Sequence, residues 1–213
     1  MVRMSNADAT ADALLKAVRM DGVDAPCPRL IAKRFGVAVF SAPKSARWSE
    51  IGERVIVNGE ERIYVRTGLD DARRNHVVAH ELGHVVLSRW CVRVEDSEIE
   101  PWCNRFGAAL LAPSAAVWRA WRACGGRAAD VVTRWAHVPP TCIALRLGEA
   151  RCADLWITQG KTIRYARAES IAPLGVVATG ADAARNGASA GYGLHALRLA
   201  DMPRRAVVLA DAA

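Results

Sequence analysis

The segment from Asp70 to Cys91 constrains this chain more than any other. It follows helical spacing for about six turns, and Val77, Val78, Ala79, Leu82, Val85 and Val86 leave little of it polar. A helix that is apolar on most sides belongs in the middle of a fold. Yet this one carries His76, His80, Glu81 and His84. His80 and His84, four residues apart, lie about 40° apart around the helix, one turn above the other. Two imidazoles so placed can share one tetrahedral zinc ion. Glu81 falls about 60° around from His84. Its carboxylate can reach a water at such a metal without being a ligand, which is the physical content of the H-E-x-x-H pattern. Buried imidazoles need partners, and a metal supplies one. His76, one turn before His80, extends the stripe; the spacing places it past the metal, as an extra ligand only in a minor reading.

Catalytic zinc sites take three protein ligands and keep one position open. No third histidine follows His84 at a suitable distance. Glu95, Asp96, Glu98 and Glu100 precede or open the next predicted helix, Ser97 to Leu111, and helical geometry favours Glu100. It shares a face with Asn104, Gly107 and Leu111, with Cys103 beside it, and the small Cys103 and Gly107 would let this helix approach the first closely. A second reading competes. Ser97-Glu98-Ile99-Glu100 also matches a capping box, in which Glu100 would only cap its own helix. Periodicity alone leaves the two open.

The rest of the chain reads as mixed structure. Helices are predicted at Ser5 to Met20, Arg29 to Phe35, Ser114 to Cys124, Ala128 to Ala136 and Thr141 to Leu147. Val37 to Phe40 is a predicted strand. Glu53 to Val57 and Glu61 to Arg66 form a predicted hairpin around Asn58-Gly59, a pair that tolerates positive φ. After Gly148, Asp154 to Thr158 and Thr162 to Arg167 read as a second hairpin. Thr179 to Gly193 reads as loop, and Leu194 to Leu199 and Ala206 to Ala210 as two further strands. The expected class is α+β: a zincin-like metallopeptidase core of helices with a small antiparallel sheet, plus a short β-rich C-terminal extension. The expected division is 1–150 for the core and 151–213 for an extension of unknown role, its strands packing on the core.

Composition narrows the function classes. With 213 residues, 52% of them hydrophobic and 24% charged, the chain can build a packed core. The polar N-terminus does not read as a signal peptide, and no apolar run reaches the roughly 18 residues of a membrane span. The expected location is therefore the cytoplasm, with no membrane partner. The six cysteines, at 27, 91, 103, 124, 142 and 152, lack C-x-x-C spacing and read as buried free thiols. The net charge of +7 comes almost wholly from arginines scattered along the chain, which argues against a nucleic-acid surface.

Two stretches carry a family resemblance. Arg74-Asn75-His76-Val77-Val78-Ala79-His80-Glu81-Leu82-Gly83-His84, followed by Glu100-Pro101-Trp102-Cys103-Asn104-Arg105-Phe106-Gly107-Ala108-Ala109-Leu110-Leu111-Ala112-Pro113, resembles the ImmA/IrrE family of metallopeptidases. That family pairs an H-E-x-G-H helix with a second helix of the form E-x-x-A-N-x-F-A that ends in L-L-x-P. Trp135 to Leu147 is similar to its following segment, so the likeness spans about residues 28 to 148. Cys103 and Gly107 stand where the family has alanine, and Pro139 where it has a serine cap.

The resemblance implies zinc held by His80, His84 and Glu100, with Glu81 as general base. A second group beside zinc would stabilise the oxyanion; His137, Tyr192 and His195 are candidates by residue type alone. In zincins of similar layout the strand preceding the metal helix, here Arg62 to Arg66, pairs with extended substrate. Members of the family cleave helix-turn-helix repressors and so switch on mobile-element or stress-response genes, which implies a protein substrate of that kind. The competing reading is a DNA-binding or interaction protein that retains a structural zinc site, closed by a fourth protein ligand.

Overall fold

The computed structural model describes residues 6–43 and 51–150, together with strands at 153–159, 162–167, 190–191, 194–198 and 205–211. Two compact units divide it, Met1–Ala116 and Val117–Ala213. The composition-based boundary at 150/151 falls inside the second unit. Its strands pack on helices that precede that boundary.

The first unit is built around the apolar helix. It begins with α1 (Ala7–Ala17), capped by Asn6, α2 (Pro28–Arg34) and strand β1 (Ala38–Ala42). Strands β2 (Gly52–Val57) and β3 (Glu60–Arg66) follow. Asn58 and Gly59 between them both have positive φ (53° and 80°), as a tight two-residue hairpin turn of this kind requires. Helix α3 (Asp71–Arg89) starts where the Asp70 carboxylate accepts the Arg73 amide at 2.7 Å. A 3-10 turn (Asp96–Glu98) leads into α4 (Ile99–Leu111).

The three strands lie in the order β1-β3-β2. β3 pairs with β2 antiparallel and with β1 parallel, so the sheet is mixed. β1 enters from α2 on the far side of the hairpin, which lets it run parallel to β3. This order changes one expectation. β3 is flanked on both sides, so Arg62 to Arg66 has no open edge for a substrate; among the described residues the outer strands are β1 and β2, and β2 is the one that lines the cleft. One face of β3 sends Ile63 and Val65 into the core against α3. On α4, Phe106, Leu110 and Leu111 are fully buried, and Leu14 and Leu15 of α1 pack behind them.

α3 and α4 approach closely at two small residues. A Cβ on Gly83 would stand 3.1–3.2 Å from Cys103, and one on Gly107 would stand 3.1 Å from the His80 amide nitrogen. Real Cβ contacts are rarely that tight. The small residues at 103 and 107 thus permit the expected close approach. β2 meets α3 in the same way, since a Cβ on Gly52 would fall 2.2 Å from Val77 Cγ1.

Helix α5 (Ser114–Ala123) spans the boundary between the units. The second unit continues with α6 (Ala128–Arg134) and α7 (Pro140–Glu149). It is completed by β4 (Ala153–Gln159), β5 (Thr162–Arg167), β6 (Ala190–Gly191), β7 (Leu194–Arg198) and β8 (Arg205–Asp211). These strands form one antiparallel sheet in the order β5-β4-β8-β7-β6. α6 and α7 pack on its central strands, α6 on β8 and α7 on β4 and β8. Val207, Val208 and Leu209 of β8 are buried. No helix among the described residues is long and apolar enough to cross a membrane.

Five cysteines are described, all free thiols. The expectation that they are buried fits Cys103 and Cys142, while Cys27 and Cys91 are exposed. Both exposed thiols sit next to helix ends, Cys27 as the N-cap of α2 and Cys91 just past α3.

Candidate metal centre

His80, His84 and Glu100 converge at one end of a cleft of about 500 Å³ in the first unit. The two Nε2 atoms lie 3.2 Å apart. Glu100 brings Oε2 to 3.2 Å from His80 Nε2 and Oε1 to 3.3 Å from His84 Nε2. Among the described residues these three form the cluster of donors able to hold a metal ion. Their spacing tests the fit. A tetrahedral ion bound at ~2.0–2.1 Å keeps neighbouring ligand atoms about 3.3 Å apart. The two imidazole nitrogens have close to that separation, each Glu100 oxygen stands 3.2–3.3 Å from one of them, and one donor atom from each residue lies within 4.8 Å of the others; the imidazole and carboxylate donor set is one zinc accepts.

The capping alternative for Glu100 finds no support in the geometry. Glu98 holds the N-cap position of α4 with no side-chain cap bond. The Glu100 carboxylate, two-thirds exposed, is turned across to the two histidines of α3 instead.

Asn104, one turn beyond Glu100, places Oδ1 3.0 Å from His80 Nδ1. With Nδ1–H donating to that oxygen, Nε2 is left bare and faces the cluster, so one turn of α4 contributes both a donor and the group that orients a donor on α3. His84 is held from its backbone. The Arg54 guanidinium of β2 donates to the His84 carbonyl at 3.3 Å and to Glu61 at 2.9 Å. Arg89 grips the other Glu61 oxygen and also donates to the Phe35 carbonyl, so the hairpin is tied to the C-terminal part of α3 and to the end of α2.

Glu81 is 8% exposed and lines the same cleft. Burial is the main cause, and the Glu100 charge the next, of a pKa raised to about 7; the Arg54 backbone amide and its charge oppose the rise. A carboxyl so tuned can both accept and release a proton near neutrality. Burial lowers the His84 pKa, helped by the neighbouring His80 and opposed by Glu100, and so favours the neutral form that binds metal. His76 also lines the cleft, its pKa lowered to about 4 chiefly by burial, then by His80 and Arg73.

The remaining candidates belong to the second unit or fall outside the described residues. His137 lies in the turn before α7, in the second unit. His195 is on β7, paired with Ala190 and Leu209. Tyr192 falls outside the described residues. Ile51, Gly52, Glu53 and Arg54, which line the cleft, carry no signal in sequence spacing. Only the register of β2 against β3 and its approach to α3 bring them there.

A mixed three-stranded sheet beneath a helix that presents two histidines and a glutamate, with a glutamate arriving from the next helix, defines a zincin-like core. Residues 32–135 match the family model Peptidase_M78, described as the IrrE N-terminal-like domain. Over that stretch the chain is similar to this peptidase family. Among solved structures, a Mycobacterium tuberculosis transcriptional regulator is similar, with a TM-score of 0.62 at 16% identity. The likeness covers 96% of this chain and 87% of that one, and shows a shared fold. No curated protein matches the chain.

Proposed function

We propose that this protein is a zinc-dependent endopeptidase of the cytoplasm that cleaves a helix-turn-helix transcriptional repressor, and so derepresses mobile-element or stress-response genes. The observation that carries the reading is the convergence of His80, His84 and Glu100, one donor atom of each within 4.8 Å of the others, beside a buried glutamate with a pKa near 7. His80, His84 and Glu100 would hold the ion. Zinc, when bound, supplies Lewis acidity, which acidifies water and polarises a carbonyl.

The chain's own residues do the rest. Glu81 takes a proton from the attacking water and hands it to the leaving amine. Its raised pKa makes both transfers feasible near pH 7. Asn104 keeps His80 in one tautomer, and Arg54 holds the backbone at His84. Strand β2, an outer strand among the described residues that borders the cleft, offers peptide groups to a substrate in extended form. A regulatory target agrees with the similar solved structure being a transcriptional regulator.

The test mixes the zinc-loaded protein with a candidate repressor and repeats the reaction with Glu81→Gln. Cleavage by the wild type and its loss in the variant are expected. Equal cleavage by both proteins would remove Glu81 from the mechanism.

A further inference from the structure

His76 lines the cleft but takes no part in the donor cluster or in the proton transfer assigned to Glu81. It sits one turn before His80 on the same face of α3. Helical side chains lean toward the N-terminus, so its ring stands on the far side of His80 from His84. There it borders the cleft together with Ile51 and Gly52, at the start of β2. Its ring makes no hydrogen bond among the described residues. The charged and titratable neighbours that act on it are His80 and Arg73, both of which, like its burial, favour the neutral form.

A neutral imidazole carries one N–H donor and one bare nitrogen. That pair matches what a peptide group offers. An imidazole that borders the cleft beside β2 and the donor cluster, without a hydrogen bond among the described residues, is placed for a ligand to satisfy. Gly52, which also lines the cleft, lets β2 pack directly against Val77 and Glu81 of α3, next to His76 in the chain.

We propose that His76 is a substrate-binding residue, hydrogen-bonding a peptide group of an extended chain next to the one that faces His80, His84 and Glu100. The assignment rests on the peptidase reading and adds to it a specific contact on the β2 side of the cleft. It makes His76 a group that distinguishes a peptide from a small zinc ligand.

The test uses the zinc-loaded full chain and two probes, acetohydroxamate and a dipeptide hydroxamate, with affinities measured by calorimetry. The wild type should prefer the dipeptide compound. His76→Phe should weaken the dipeptide hydroxamate by about tenfold, the value of one good hydrogen bond, and leave acetohydroxamate unchanged. Zinc affinity, measured by chelator competition, should not move. His76→Gln, which keeps a donor and an acceptor, should retain most of the preference. His76→Leu replaces the Phe variant if circular dichroism shows the larger ring disrupts the fold. Unchanged dipeptide binding in the apolar variant, equal loss on both probes, a fall in zinc affinity, or a Gln variant as impaired as the apolar one would each overturn the assignment. A wild type that binds neither hydroxamate would overturn the peptidase reading itself, and this contact with it.

Discussion

Asn104 Oδ1 and His80 Nδ1 lie 3.0 Å apart, joining α4 to α3 by a hydrogen bond beside the donor cluster of His80, His84 and Glu100. The bond selects the His80 tautomer whose bare nitrogen faces His84 and Glu100. Replacing Asn104 by Leu, close in volume but without an acceptor, frees the ring to turn. Zinc affinity should fall by about 10–100-fold, as when such supporting groups are lost in other zinc sites. Chelator competition checks it, with circular dichroism to confirm that the helices remain.

The approach of α4 to α3 is set by Gly83 and Gly107, where an added Cβ would meet Cys103 and the His80 backbone at 3.1–3.2 Å. Gly107→Ala forces the helices apart at the ligand itself. A stability loss of about 1–3 kcal/mol is expected from overpacking. Because the displaced backbone is that of His80, zinc affinity should fall as well. Gly83→Ala should cost similar stability with a smaller effect on zinc, since its clash is with Cys103. Urea unfolding and chelator competition, run side by side, separate the two.

The metal-free protein should show opposing pH slopes. Glu81 ionises at about 7 when folded and near 4.5 when unfolded. Between those values the unfolded chain binds fewer protons, so stability falls as pH rises. His76 titrates at about 4 when folded and near 6.5 when unfolded, so between those values the unfolded chain binds more protons and stability rises with pH. His84, also lowered, acts in the same sense as His76. From pH 4.5 to 6.5 the contributions work against each other. Glu81→Gln removes the falling one, and its unfolding free energy should climb across this window more steeply than that of the wild type. Denaturant titrations at half-unit pH steps, with chelator present, test this; parallel profiles for the two proteins would contradict it.

Thiol chemistry should divide the cysteines by position. Burial raises the Cys103 and Cys142 thiols to about 12, with Glu100 and Glu81 adding to the rise at Cys103. Brief alkylation near pH 8 followed by peptide mapping should label Cys27 and Cys91 and spare these two. In the unfolded chain both would ionise near 9, so between about pH 9 and 12 the unfolded state holds fewer protons and stability should fall.

What could be read in advance was what local periodicity encodes. The apolar stripe of α3, the Asn58-Gly59 turn and the small residues at 103 and 107 each act through neighbours one or two turns away. The histidine spacing placed two donors on one face without knowledge of the fold. Glu100 was ambiguous because a carboxylate in a first helical turn suits a cap and a ligand equally; only the position of α3 decides which way it turns. The order of the three strands was not legible at all. That β2 rather than β3 is an outer strand among the described residues depends on β1 pairing with the far side of β3. Arg54 and Gly52 entered the cleft for the same reason, since register across a sheet leaves no mark in the spacing of either strand. The division at 150/151 followed a change of composition, whereas the packing of α6 and α7 depends on buried faces such as Ile143 and Val207, which composition does not reveal.

The central claim is a zinc centre with three protein ligands and one open position, and X-ray absorption at the zinc edge of the loaded protein tests it most directly. The account predicts only nitrogen and oxygen neighbours at about 2.0–2.1 Å, two of them imidazoles, and disruption of this shell in Glu100→Ala. A sulfur neighbour at about 2.3 Å, or a third imidazole completing a closed shell of protein ligands, would contradict it and point to a structural metal.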